Sequence, residues 1–300
     1  MSILLSLVTQ VAHIVLMLLA APLLAGLVGV LSDRLAGREG PPIVQPWRDL
    51  SRLFRKHTVR AENASCVTRL APKLSVVVAA VGVFLIPSFA LGMVSAPLAD
   101  LLSLAMLFAL GRIVLVLAAM DAGTGEGGVA AAETSRLAIA AEPALLLAVF
   151  TLALLAGGGN LDQIIGARLE GLLLPGPASA LAVAALALLG WTEAVRPGMD
   201  TAFSARDLAL LQIAEQLRLL AWCDLIGALA LPFGMAAAGI GSAAWGIGLL
   251  AWVGRLLLAA LVLAGVRVFA PAIRVPAVVV FALLLCGIAV VLGLVGGGTT

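Results

Sequence analysis

The feature that most restricts this chain is a succession of apolar stretches, each about as long as a helix that crosses a bilayer. A spanning helix takes about 20 predominantly apolar residues. Eight such stretches lie near residues 4–31, 74–94, 98–119, 137–156, 178–195, 208–233, 243–264 and 276–295. The chain is 63% apolar and only 11% charged, where soluble domains carry about 25% charged residues. That leaves no room for a sizeable soluble domain. The expected fold is all-α: one integral membrane domain over residues 1–300, a polytopic bundle of about eight transmembrane helices. Abundant Ala and Gly suit close helix contact in lipid. The first stretch has no basic n-region and is too long for a signal peptide, so it is read as a span.

The one long polar passage is Ser32 to Lys73, which holds nine of the chain's 18 Lys and Arg. Pro41, Pro42 and Pro46 end any helix entering it, so a new element should begin near Pro46 or Trp47. Trp47, Leu50, Leu53 and Phe54 then recur at helical spacing, with Arg48, Arg52, Arg55 and Lys56 on the opposite face. This pattern fits an amphipathic helix lying in the membrane interface; an ordinary solvated juxtamembrane loop fits it too. Basic residues also set the orientation. Loops one, three, five and seven carry nine, one, two and two of them, and the even loops carry only Arg168. The positive-inside rule places the odd loops in the cytoplasm and both termini on the outer side of the membrane.

Ionisable groups inside spans cost roughly 2.5–3.5 kcal/mol each on insertion scales, so each is a functional candidate. Glu142 precedes Pro143, which removes a backbone hydrogen bond beside the carboxyl. Such a carboxyl could trade protons, or be a paired group that fixes helix packing. Glu193 and Arg196 stand three apart on one helix face and can pair. Gln212, Glu215 and Arg218 share one side of the sixth span, with Asp224 on nearly the opposite side. Arg112 and Arg255 each need a carboxylate across helices, Glu142 being one possible partner for Arg112, and Arg255 could instead snorkel. His13, alone in the first span, reads as a packing histidine. Cys66, Cys223 and Cys286 are far apart and form no C-x-x-C pair, so they suggest neither a disulfide framework nor an iron–sulfur site. No metal site and no phosphate loop is expected, and nothing points to nucleic acid.

Several segments resemble the complex I subunit 1 family in its hydrogenase branch, that of formate hydrogenlyase subunit 4 and hydrogenase-4 component C. In the first loop these are Gly40-Pro41, Gln45-Pro46, Arg48-Asp49, Arg52-Leu53, Arg55-Lys56, Arg69 and Ala71-Pro72. Asp121, Gly123, Gly127 and Gly128 resemble the glycine-rich third loop, and Ala141 to Leu147 the span-four signature. Glu193-Ala194-Val195-Arg196-Pro197 resembles the span-five exit, and Ser204-Ala205-Arg206-Asp207-Leu208 the start of span six. Two departures stand out. The order Glu133-Thr134-Ser135-Arg136 replaces an Arg-Glu pair. Only Pro197 to Phe203 separate Arg196 from Ser204, where relatives carry a longer loop rich in Glu and His. That shortening argues against a quinone site.

The resemblance implies a non-catalytic membrane subunit of an oxidoreductase complex, an energy-converting [NiFe] hydrogenase or formate hydrogenlyase assembly. Its [NiFe] and iron–sulfur centres would lie in partner subunits, with no cofactor on this chain. Expected partners are hydrogenase-type large and small subunits, an iron–sulfur subunit and antiporter-like membrane subunits. Gln45, Arg48, Asp49, Arg52, Arg55, Lys56 and Arg69 would dock the cytoplasmic arm. Glu142, Glu193, Glu215 and Asp224 would carry protons, with Arg112, Arg196, Arg218 and Arg255 as their charge partners. A quinone-site subunit of an NADH dehydrogenase-like complex, a structural anchor without coupling and a stand-alone transporter are the alternatives.

Overall fold

The computed structural model describes residues 2–59, 65–170, 176–195, 203–237, 242–269 and 274–297. Arg196 and most of the shortened fifth loop lie outside the described residues. The described helices are α1 (Ser2–Leu35), α2 (Gln45–Phe54), α3 (Cys66–Leu85), α4 (Leu101–Asp121), α5 (Gly125–Ala156), α6 (Leu161–Leu169), α7 (Pro177–Ala194), α8 (Ala205–Ala230), α9 (Ser242–Phe269) and α10 (Val275–Gly297). Seven of them, namely α1, α3, α4, α5, α7, α9 and α10, are long and apolar enough to cross a membrane.

The remaining long helix, α8, has 26 residues but carries Arg206, Asp207, Glu215, Arg218 and Asp224. It can bear them because it packs against α1, α3, α7 and α9. Ala209, Leu220 and Ala221 on it are wholly buried. The fold is therefore an all-α polytopic bundle, in which α8 meets protein on several sides.

Helix boundaries depart from the expected ones where side chains cap or break the backbone. The second span ends at Leu85, because Pro87 drives Ile86 into extended backbone (φ −80°, ψ 120°). The second loop thus runs from Ile86 to Asp100 and is much longer than the few residues expected around Ser95–Pro97. Its Ala90–Leu91 strand (β1) pairs in parallel with Ala236–Ala237 (β2). Non-helical backbone at membrane depth survives only inside protein. Phe89 and Ala90 are accordingly buried, and a Cβ on Gly248 of α9 would collide with the Phe89 carbonyl.

The fourth span starts at Gly125, not near 137. Thr124 caps it by accepting from the Gly127 N–H, so Glu133 and Arg136 are helical. α9 continues to Phe269, five residues beyond the expected end at 264, because nothing before Pro271 interrupts it.

The polar first loop is anchored to the bundle. Pro46 opens α2 in its first turn, Leu50 is buried beneath it, and Arg48, Arg52, Arg55 and Lys56 stay exposed. A Cβ on Gly26 of α1 would collide with the Ile43 carbonyl, so the chain entering α2 lies directly on α1. Arg206 Nε donates to the Phe54 carbonyl at 3.3 Å, and the Val59 N–H donates to Ser204 Oγ at 2.9 Å. These contacts tie the loop to the start of α8. The start of α3 is held by Asp121, whose carboxylate accepts from the Ser65 and Thr68 N–H groups at 3.2 and 3.1 Å.

Candidate functional site

Arg112, midway along α4, is the hub. Its side chain is 5% exposed and lies between two carboxylates from different helices. One guanidinium nitrogen donates to Glu193 Oε1 of α7 at 2.8 Å. Its Nε faces Glu142 Oε1 of α5 at 3.7 Å, too long for a hydrogen bond. The two acids differ in setting. The Glu193 side chain is 8% exposed and the Glu142 side chain 39%. Glu142 opens onto a groove of about 510 Å³ between α4 and α5, walled by Ile113, Leu117, Ile139 and Leu146. Pro143 supplies no N–H to the Ile139 carbonyl one turn back, which loosens α5 beside the carboxyl.

On its other side Glu193 lines a polar cavity of about 190 Å³ with Gln212, Glu215, Gln216 and Arg218 of α8, Arg267 of α9 and Ala25 of α1. The cavity sits where α7 and α8 approach closely. A Cβ on Gly190 would stand 2.8 Å from Ile226 Cδ1 and 3.0 Å from Trp222 Cε3, so a larger residue would require these α8 side chains to shift. Arg267 donates to the Ala194 carbonyl at 3.1 Å and lies within electrostatic reach of Glu215. Arg218 also borders a small gap beside Ser75 and Gly111, next to Arg112 along the chain.

Ionisable groups therefore form one series: Glu215, Arg218 and Arg267 around the cavity, Glu193 in its wall, Arg112, then Glu142 on the lateral groove. A series of this kind can relay charge or protons between the two openings. Within it Arg112 pairs with Glu193 and faces Glu142, and Arg267 lies within electrostatic reach of Glu215.

Asp224 is not part of the series. It accepts from Trp252 Nε1 at 2.7 Å, and its other oxygen is buried with no hydrogen-bond partner among the described residues. Arg255 is buried and does not snorkel. Its guanidinium donates to the carbonyls of Leu231, at 3.1 Å, and Ser88. Asp224 lies within electrostatic reach. Arg255 thus has a carboxylate of a neighbouring helix within electrostatic reach, as expected, while its hydrogen bonds go to carbonyls at the two broken segments. His13 packs in the core and shares a hydrogen bond of 2.8 Å with Ser88 Oγ.

Among the docking candidates, Asp49 is bridged by Gln45 at 2.9 Å and Arg52 at 3.3 Å within α2. Arg48, Arg55, Lys56 and Arg69 are exposed. Arg267 and Ser88 were not among the candidates read from sequence. The apolar run continuing through Arg267 signals the first, and the Ile86-Pro87-Ser88 helix break the second. Outside the membrane-spanning helices, Asp162 on α6 is half-buried, and that burial pushes its carboxyl above the usual range; the Gly92 N–H partly offsets this.

A sequence profile of the NADH dehydrogenase family matches residues 8–296. Hydrogenase-4 component C of Escherichia coli K12 is 29% identical over 238 residues, 75% of each chain. Formate hydrogenlyase subunit 4 of the same organism is 32% identical over 144 residues, 48% of this chain and 47% of that protein. A chain in the structure of the membrane-bound sulfane sulfur reductase, an archaeal respiratory membrane complex, superposes with a TM-score of 0.73. The superposition covers 95% of this chain and 98% of that one at 17% identity, and so shows a common fold.

Proposed function

This chain belongs to the NADH dehydrogenase family, and on that footing we propose that it is a membrane subunit of a complex I-like assembly that couples a redox event to ion movement. The hydrogenase-4 and formate hydrogenlyase relatives favour an energy-converting [NiFe] hydrogenase or formate hydrogenlyase complex. In this reading the chain is a non-catalytic subunit in the cytoplasmic membrane with both termini outside. Large and small hydrogenase-type subunits and an iron–sulfur subunit hold the [NiFe] and iron–sulfur centres. Antiporter-like membrane subunits receive the ion movement.

The observation that carries the proposal is Arg112 held between Glu193 and Glu142, with Glu193 also in the wall of the polar cavity. The polar first loop is fixed to α1 and α8 and presents Arg48, Arg55, Lys56 and Arg69 to a docking arm. A redox event in that arm would reach the cavity through α8, and the proton would pass by Glu215 and Glu193 towards Glu142 and the lateral groove. Asp224, held by Trp252, keeps a supporting place beside the route.

The test is Glu142→Gln in the whole complex in membrane vesicles. Hydrogenase activity with an artificial electron acceptor should persist, while acidification of the vesicle lumen is lost. Lumen acidification that continues at the wild-type rate refutes the proton route and favours a structural anchor, in which Arg112 only joins three helices.

A further inference from the structure

A cleft of about 380 Å³ lies on the side of the bundle where α7, α8, α9 and α10 meet. Its walls are almost wholly apolar: Leu188, Ile226, Leu258, Val262 and Val278 are typical. Arg255 closes one end, its guanidinium already engaged by two carbonyls. Leu258 and Val262 are 47% and 55% exposed, so the cleft opens sideways, where the hydrocarbon of a bilayer would stand. On α9 the lining runs from Arg255 to Val266, a depth of about 16 Å at 1.5 Å per residue. That is the depth of one leaflet, about half of a 30 Å hydrocarbon core.

Lining and charge decide the occupant. Nearly every wall residue is apolar and the cleft opens to the bilayer side, which suits a hydrocarbon chain. At the end away from Arg255 stand two exposed cations. Arg267 follows the lining residue Val266, and Arg274 precedes the lining residue Val278 by one turn. We propose that the cleft binds one acyl chain of an anionic phospholipid whose phosphate sits between Arg267 and Arg274. Basic pockets between transmembrane helices are suited to anionic head groups, at about 1 kcal/mol, or fivefold, per cation. Gly190, Leu219 and Trp222 line both this cleft and the polar cavity. The bound chain therefore backs the wall that separates the cavity from lipid. Arg267 also lines the polar cavity, so Arg274, which stands outside the proton route, is the cation whose replacement tests this site by itself.

The test reconstitutes the whole complex in mixed vesicles of phosphatidylglycerol and phosphatidylcholine, one or the other carrying brominated acyl chains. It follows the saturable quenching of tryptophan fluorescence, Trp191 and Trp222 being wall residues. Phosphatidylglycerol should be preferred roughly 25-fold, from two cations at about fivefold each. Arg274→Gln should cut that preference about fivefold. Ala259→Phe, which fills the cleft, should abolish saturable quenching by either lipid. The idea is overturned by an absent preference in the wild-type complex, by a preference that ignores Arg274→Gln, or by saturable quenching that survives Ala259→Phe. Recovery of an isoprenoid quinone, or of a partner's transmembrane segment, crosslinked into the cleft also overturns it. The wild-type preference needs no variant, so poor folding of Ala259→Phe would not remove the test.

Discussion

Replacing Arg112 by Leu keeps the bulk at this position in α4 but leaves Glu193 in the bundle without its 2.8 Å partner. Removing one member of a buried ion pair typically costs 3–5 kcal/mol, far above the roughly 0.6 kcal/mol average for neutral interhelical hydrogen bonds in membranes. Glu193 keeps a further interaction in the bundle, so the loss lies at the lower end of that range, and Arg112→Leu should destabilise the chain by about 3 kcal/mol. At roughly 2 °C or more per kcal/mol, the detergent-solubilised variant should melt at least about 6 °C below wild type, read by the loss of the monodisperse peak on heating. Arg112→Leu with Glu193→Gln should recover most of the loss, since the buried charge is gone. Glu142→Gln alone should cost under about 1 kcal/mol, because that carboxylate is 39% exposed and 3.7 Å away. If Arg112→Leu melts like wild type, or the double variant is no better than the single, the pair is not the hub described above.

Cys66 begins α3 exposed, whereas Cys223 and Cys286 are buried. A membrane-impermeant maleimide should label Cys66 in inverted vesicles and not in right-side-out ones; the opposite pattern reverses the orientation drawn from the basic loops. Asp162 has a raised carboxyl pKa from burial, so the folded state holds its proton more tightly than the unfolded one. Stability from this group is greatest at low pH and is lost as pH rises from the ordinary carboxylate value through the raised one. Asp162→Asn should therefore melt above wild type near neutral pH, with the two converging towards about pH 4; a constant gap across that range would contradict the account.

The bundle was legible because apolar length and basic loops are one-dimensional signals. Glu142 and Arg112 could be guessed as partners, since both are ionisable groups in apolar spans. What the sequence could not show is that Glu193 bonds to Arg112, 81 positions away, because i, i+3 spacing points only to the local Arg196, which lies outside the described residues. Arg255 shows a related limit. Charge suggests a carboxylate, and Asp224 is within electrostatic reach, but a buried guanidinium carries five donors, and the carbonyls freed at the breaks around Ser88 and Leu231 satisfy some of them. Helix breaks create acceptors that no list of acidic residues contains.

The charges of the site, summed, explain why a relay needs this arrangement. Among the described residues, Glu142, Glu193 and Glu215 stand with Arg112, Arg218 and Arg267, three against three. Only Arg112 and Glu193 are deeply buried, and their pairing offsets the cost of taking those two charges out of water. Adding one proton then leaves one guanidinium in excess. Arg112 is placed to register that change, because it has a second carboxylate within 3.7 Å when Glu193 is discharged. The excess charge can pass from the buried acid to the groove-facing one by a side-chain movement of about an ångström, set by the gap between a 3.7 Å contact and a hydrogen bond near 2.8 Å. Asp224, already holding Trp252 and standing outside this balance, cannot substitute for either acid. Its replacement by Asn should thus leave the Arg112 pairing, and the melting difference caused by Arg112→Leu, unchanged.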